Sequence, residues 1–299
     1  MSATHMGELA ALLTAMCWSF TSLSFEAASK KIGSLQVNFI RLVLAFIFLS
    51  LLNGIFRHQF VPLAAGLHAW IWLSLSGLIG FVIGDYFLFR AYIIVGARIS
   101  MLVMSLVPPI TAVISWLFLG ETMNHREILA MILTLSGVAI VVIERNETNG
   151  ALKFSHPISG ILCAFGGAVG QAVGLILSKY GMGNYNAFAA TQIRVITGVL
   201  GFGIVLLVLR RVPQFMQSVR NLNALKYTTI GAFFGPFLGV SLSLYAVQHT
   251  AAGIASTIMS IVPVLIIPLA ILILKEKVTF REITGAVIAV GGVALYFIV

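Results

Sequence analysis

The chain has 299 residues, of which 60% are hydrophobic and only 9% charged, and its mean hydropathy is +1.05. A water-facing surface on a chain of this length needs about 25% charged residues, so a soluble domain is excluded and a polytopic helical membrane protein is expected. The formal charge of +9 does not point to nucleic acid, because the basic residues sit in short loops and form no basic–aromatic array.

Apolar runs of about 20 residues, the length that crosses a hydrocarbon core, place ten spans along the chain. The first, 7–29, lacks Lys or Arg before its apolar run, so it is expected to stay as a helix rather than be cleaved as a signal peptide. Thr14, Trp18, Thr21, Ser22 and Phe25 recur along it at helical spacing as one polar–aromatic stripe. Glu26 follows beside Ser29, Lys30 and Lys31 and reads as an interfacial charge or, alternatively, a proton carrier. The second span, 33–54, carries Arg41, and the third, 69–94, carries Asp85 and Tyr86 in the stretch GFVIGDY. The fourth, 97–119, contains MSLVPPI, with Met104, Ser105 and Pro108; the fifth is 126–143.

A polar linker, Glu144 to Pro157, precedes the sixth span at 157–180, where Gly167, Gly170, Gly174 and Ser178 make a small-residue packing face. Gln171 lies on that face, and its primary amide wants a partner or a ligand. The seventh span, 185–209, holds Arg194; the eighth, 225–248, offers Ser241 and Tyr245. The ninth, 252–274, contains MSIVPVL with Ser256, Met259, Ser260 and Pro263, and the tenth is 281–299. Cys17 and Cys163 fall in apolar runs and read as packing residues. His125 and His249 sit at helix ends and read as solvated.

MSLVPPI and MSIVPVL are copies. An offset of 155 residues takes Met104 to Met259, Glu121 to Glu276, Arg126 to Arg281, Gly137 to Gly292, Gly80 to Gly235 and Gly84 to Gly239. Earlier in each half an offset of 153 takes Gly7 to Gly160 and Arg41 to Arg194. The expected fold is therefore an all-α membrane protein of ten transmembrane helices in two five-helix repeats, 1–148 and 149–299. Five is odd, so the repeats are inverted, a plan that puts a substrate site near the midplane between the halves. Pro108 and Pro263 each free a carbonyl one turn earlier, which serves either a packing kink or a ligand-lined turn. Thirteen Lys and Arg residues follow odd-numbered spans and three follow even-numbered ones, so the positive-inside rule places both termini outside.

Ten spans in two halves, each with a proline helix followed by LGE (Leu119 to Glu121) or LKE (Leu274 to Glu276), resemble the drug/metabolite transporter superfamily, EamA-type branch. The runs REILAMILTLSGVAIVV and REITGAVIAVGGVALYF extend the resemblance over nearly the whole chain. It implies a central cavity lined by helices one, three, four, six, eight and nine, with Glu121 and Glu276 as structural helix ends; Lys275 departs from the glycine usual in the second motif. It leaves the substrate open, since such transporters export amino acids, other metabolites and drugs.

The candidate substrate-binding set is Trp18, Ser22, Tyr86, Met104, Ser105, Gln171, Arg194, Ser241, Tyr245, Met259 and Ser260. Polar groups inside a membrane are costly and mark function, and Met and aromatic side chains with scattered hydroxyls suit a small amphipathic compound. Arg41 and Asp85, at depths of about 10 and 13 Å, form a candidate intramembrane charge pair. The same offset maps Asp85 to Val240, leaving Arg194 with no matching carboxylate. Either Arg194 bonds backbone carbonyls or snorkels outward, or its counter-ion is the substrate's own carboxylate.

A secondary transporter exporting a small organic metabolite by alternating access is the leading function, as a monomer in a prokaryotic cytoplasmic membrane, without cofactor or metal. A membrane-embedded enzyme or a receptor is the alternative. Asp85 is the sole aspartate, so an aspartyl dyad is excluded, and no HExxH or phosphate-binding loop occurs.

Overall fold

The structure, a computed structural model, describes residues 3–119, 125–145, 152–154, 156–250, 252–274 and 278–295. Gly33 separates α1 (Ala3–Ile32) from α2 (Ser34–Arg57). The next path is longer: α3 (Leu67–Gly77) runs through a π-helical stretch (Leu78–Gly84) into α4 (Asp85–Met104). Gly96 breaks α4 with φ 79° and ψ 166°, a conformation that a side chain would strain. The third and fourth predicted spans meet at this residue. A turn at Ser105–Leu106 then leads to α5 (Val107–Leu119) and α6 (His125–Val142).

The linker ends pair as a short antiparallel ribbon, β1 (Ile143–Arg145) with β2 (Leu152–Phe154), an element the sequence pattern did not suggest. The second half holds α7 (Ile158–Met182), α8 (Ala187–Val208), a short α9 (Val212–Ser218) between spans, and α10 (Leu222–Ala232). A π-helical stretch (Phe233–Gly239) again leads into α11 (Val240–His249). The chain ends in α12 (Ala252–Met259), α13 (Val262–Leu269) with a π-helical tail (Ala270–Leu274), and α14 (Phe280–Leu295). Glu121, Lys275 and Glu276 lie outside the described residues.

Six described helical paths are long and apolar enough to cross a membrane, the longest being Leu67–Met104 at 38 residues. Their outer faces are apolar too. On α8, Leu200, Ile204 and Leu207 are exposed while Arg194, Gly198, Phe202 and Leu206 are buried. An apolar face turned outward, with the polar Arg194 and small Gly198 turned inward, is the pattern of a helix whose solvent is lipid.

The two halves are related by a two-fold pattern of contacts. The π-helical stretches at 78–84 and 233–239 coincide under the offset of 155. In the first, Gly80 and Gly84 pack on Gly174 and Gly170 of α7; in the second, Gly235 packs on Thr21 and Gly239 on Trp18, both of α1. The pairing of α6 with α14 is reciprocal. Gly137 sits against Gly285 and Ala289, and its equivalent Gly292 sits against Ala130 and Thr134. Under the same offset Ala130 maps to Gly285 and Thr134 to Ala289, so each helix makes to the other the contact it receives, the mark of a two-fold axis.

Backbone meets backbone at this crossing, so an added side chain has nowhere to go. Gly137→Val and Gly292→Val should each destabilise the protein by about 1–3 kcal/mol, and to a similar extent. Gly291, whose missing side chain faces open space, should tolerate valine. Thermal unfolding of the detergent-solubilised variants, followed by loss of the monodisperse peak, measures all three.

Candidate functional site

Between the halves lies a cavity of about 110 Å³. Its wall comes from α1, α4, α5, α7, α11, α12, α13 and the π-helical stretches before α4 and α11, with Arg41 of α2 and Arg194 of α8 reaching in. Most of the lining consists of residues equivalent under the repeat offsets: Trp18 with Gln171, Ser22 with Leu175, Phe81 with Pro236, Leu88 with Ser243, Met101 with Ser256, Met104 with Met259 and Ser105 with Ser260. The cavity therefore straddles the two-fold axis.

At its wall sits a network of buried charge. Arg41 and Asp85 are each 3% exposed. Arg41 Nη2 donates to Asp85 Oδ2 at 2.5 Å and its Nε donates to Asn38 Oδ1 at 2.9 Å. Gln171 Nε2 donates to the other carboxylate oxygen of Asp85 at 2.7 Å. The Arg41 guanidinium also lies 4.6 Å from the centre of the Phe89 ring and 5.6 Å from that of Phe81. Three helices, α2, α4 and α7, are tied together by one carboxylate. The Arg194 guanidinium also lies over the Phe81 ring, 4.7 Å from its centre. Its Nε is buried with no hydrogen-bond partner among the described residues.

Both proline turns border the lumen. The turn before Pro108 is closed by Ser105 Oγ donating to the Leu102 carbonyl at 2.6 Å, and the turn before Pro263 by Ser260 Oγ donating to the Ser256 carbonyl at 2.7 Å. Each hydroxyl doubles a bond that the serine's own backbone N–H already makes to that carbonyl, while the carbonyls that Pro108 and Pro263 deprive of a donor are those of Met104 and Met259. Met104 and Met259 stand at these turns and line the cavity.

Trp18, Ser22, Met104, Ser105, Gln171, Arg194, Met259 and Ser260 all lie in the lining. Tyr86, Ser241 and Tyr245 do not. Tyr86 is half-buried and meets Phe87 edge-on, with ring centres 5.6 Å apart. Tyr245 stacks on His249 at 4.1 Å, and Ser241 is fully buried with its hydroxyl unpartnered among the described residues. The physical reason is common to both helices. The lining follows one helical face, Phe81, Asp85, Leu88 and Tyr92 in the first half and Pro236, Val240 and Ser243 in the second, and Tyr86, Ser241 and Tyr245 lie off it. Phe81, Tyr92 and Met101 are lining residues that the sequence pattern did not single out. Tyr92 donates to Ser22 Oγ at 3.4 Å.

Glu26 is not an interfacial charge in the solvated sense. It is 2% exposed, its Oε2 accepts the Ala97 backbone N–H at 2.8 Å, and its Oε1 pairs with Lys30 at 2.5 Å. It caps the segment that restarts after Gly96. The next residue, Arg98, pairs with Glu282 of α14 at 3.0 Å, so the start of this half-helix is held from two sides.

The chain matches the EamA-like transporter family over residues 5–143 and again over 158–298. It is 30% identical to an uncharacterized transporter of Clostridium kluyveri over 183 residues, which is 61% of this chain and 58% of that protein. It is 22% identical to an uncharacterized transporter of Archaeoglobus fulgidus over 73% of this chain and 74% of that one. With the uncharacterized transporter YetK of Bacillus subtilis it shares 24% identity over 63% of this chain and 56% of that protein. The matches to the Clostridium and Bacillus proteins thus span little more than half their lengths. A solved structure titled "Crystal structure of protein" superposes with a TM-score of 0.64 at 14% identity, covering 97% of this chain and 96% of that one, a likeness of fold.

Removing the Asp85 charge leaves Arg41 buried without a counter-ion. Asp85→Asn should therefore destabilise the protein by about 3–5 kcal/mol and lower its yield in membranes. Tyr86→Phe, one residue on but outside the cavity, should change stability by no more than about 0.5 kcal/mol. Thermal melts in detergent compare the two.

Proposed function

The chain belongs to the EamA-like transporter family, and from that premise we propose that it is a secondary transporter exporting a small organic metabolite by alternating access. Ten spans in two inverted five-helix repeats carry it across a prokaryotic cytoplasmic membrane, with both termini outside. The observation that carries this reading is the cavity on the two-fold axis, walled by equivalent residues of the two halves. Neither α6 nor α14 contributes to that wall; their reciprocal glycine crossing serves as the scaffold about which the remaining helices rearrange. The proline turns at Ser105 and Ser260 place soft Met side chains and hydroxyls on the lumen, which suits an amphipathic compound.

Liposomes containing the purified protein and loaded with a panel of neutral, cationic and anionic metabolites should release at least one compound faster than equally loaded liposomes without protein. Release of none overturns the transporter function. Cysteines placed at Ser105 and at Ser260, in a background lacking Cys17 and Cys163, should react with small polar thiol reagents; if both stay inert, the pathway lies elsewhere. Orientation follows from the loop charges. Alkaline phosphatase fused after Val299 should be active in a bacterial host, and a bright C-terminal fluorescent-protein fusion would place that end inside.

A further inference from the structure

The charged groups of the cavity wall do not balance. Its lining holds Arg41, Arg194 and Asp85, two cations against one anion. Asp85 is committed: one oxygen takes Arg41 and the other takes Gln171. The surplus positive charge therefore falls on Arg194.

Comparison of the two halves shows why. Arg41 has two acceptors, the Asp85 carboxylate and the Asn38 side chain. Under the repeat offsets the same two places around Arg194 hold Val240 and Thr191. Val240 offers no acceptor, and the Thr191 hydroxyl is turned back to donate to the Ala187 carbonyl at 2.8 Å. Neither place gives Arg194 the acceptor that Arg41 finds in its own half. Snorkelling does not relieve it, since Arg194 is 3% exposed and its guanidinium lies over the Phe81 ring at the cavity wall. Its Nε has no hydrogen-bond partner among the described residues.

A guanidinium stays protonated even when buried, and an unpaired charge in a low-dielectric interior is strongly destabilising. An anion brought by the ligand relieves it. A planar carboxylate matches the fork of donors, and one negative charge neutralises the wall, whereas a dianion would reverse its sign. The remaining wall is mostly apolar, with Trp18, Phe89, Met104 and Met259 among scattered hydroxyls, so the anion carries an organic body.

We propose that Arg194 anchors a single carboxylate, and that the compound this cavity takes is an amphipathic organic monoacid. This rests on the cavity being the transport site and names its substrate class; binding is tested separately from transport.

The probes are benzoate and hexanoate, with benzamide and hexanamide as neutral partners of the same shape, added to the purified full-length protein in detergent. Thermal stabilisation and quenching of tryptophan fluorescence, to which Trp18 in the wall contributes, report binding. Each acid is expected to bind roughly tenfold or more tightly than its amide. Arg194→Gln should abolish that preference, and Arg194→Lys should keep part of it. The wild-type comparison needs no variant to fold. Acids and amides binding alike, no binding by either acid, or an acid preference that survives Arg194→Gln would each overturn the proposal. So would chloride or inorganic phosphate stabilising the protein as much as benzoate does. If Arg194→Gln liposomes still release a neutral or cationic compound that the wild type releases, while neither acid binds, the carboxylate site falls and transport stands. If the acids bind through Arg194 but no compound on the panel crosses, the site stands and transport falls.

Discussion

An ion buried among apolar helices has no water to fall back on, and the interior of this protein is arranged around that constraint. Arg41 and Asp85 satisfy each other across α2 and α4, and Gln171 and Asn38 complete the shell. Because the members come from different helices, the network sets the lateral positions of those helices as well as their charge balance. Phe25, Phe89 and Phe81 surround the Arg41 guanidinium, supplying ring faces where a soluble protein would supply solvent.

Glycine does the complementary work. Where α7 meets the first π-helical stretch and where α6 meets α14, backbones approach without side chains between them. In lipid, where apolar surface gains little by leaving its surroundings, such close approach is what gives helix association its energy. The polar network and the glycine crossings thus hold the bundle from two directions, one by charge and one by shape.

Much of this is legible in the sequence because a duplicated chain repeats its constraints. Equivalent glycines, the MS-x-VP turns and the two arginines keep one register over long distances, and only a shared structural requirement preserves a spacing so well. The Arg41–Asp85 contact is inferable because both residues lie at similar depth and neither tolerates isolation. The inward-facing side chains are harder to read. A polar letter alone does not fix its face: the lining runs Phe81, Asp85, Leu88, Tyr92 and Pro236, Val240, Ser243 at helical spacing, and nothing local in LIGFVIG or FFGPFLG announces the π-helical stretch. Hence Tyr86, Ser241 and Tyr245 leave the cavity while Tyr92 and Met101 enter it. The role of Glu26 is hidden for a different reason: its partner is a backbone N–H, and backbone donors have no letter in the sequence.

The two-fold pattern has a consequence for energy as well as for shape. If the halves exchange roles when the carrier turns over, every matched pair of residues is simply relabelled. Its contribution appears in both end states and drops out of their difference. What survives comes from the positions where the halves differ, among them the charged mismatches of Asp85 against Val240, Glu26 against Lys179, and Arg98 against Gly253. In the present arrangement Glu26, Arg98 and Glu282 all act on the segment after Gly96, and the sequence offers no such set at the equivalent place in the other half. If the protein alternates between two such states, its preference between them rests on the unmatched positions, and substitutions there shift it without touching the glycine crossings that hold the fold.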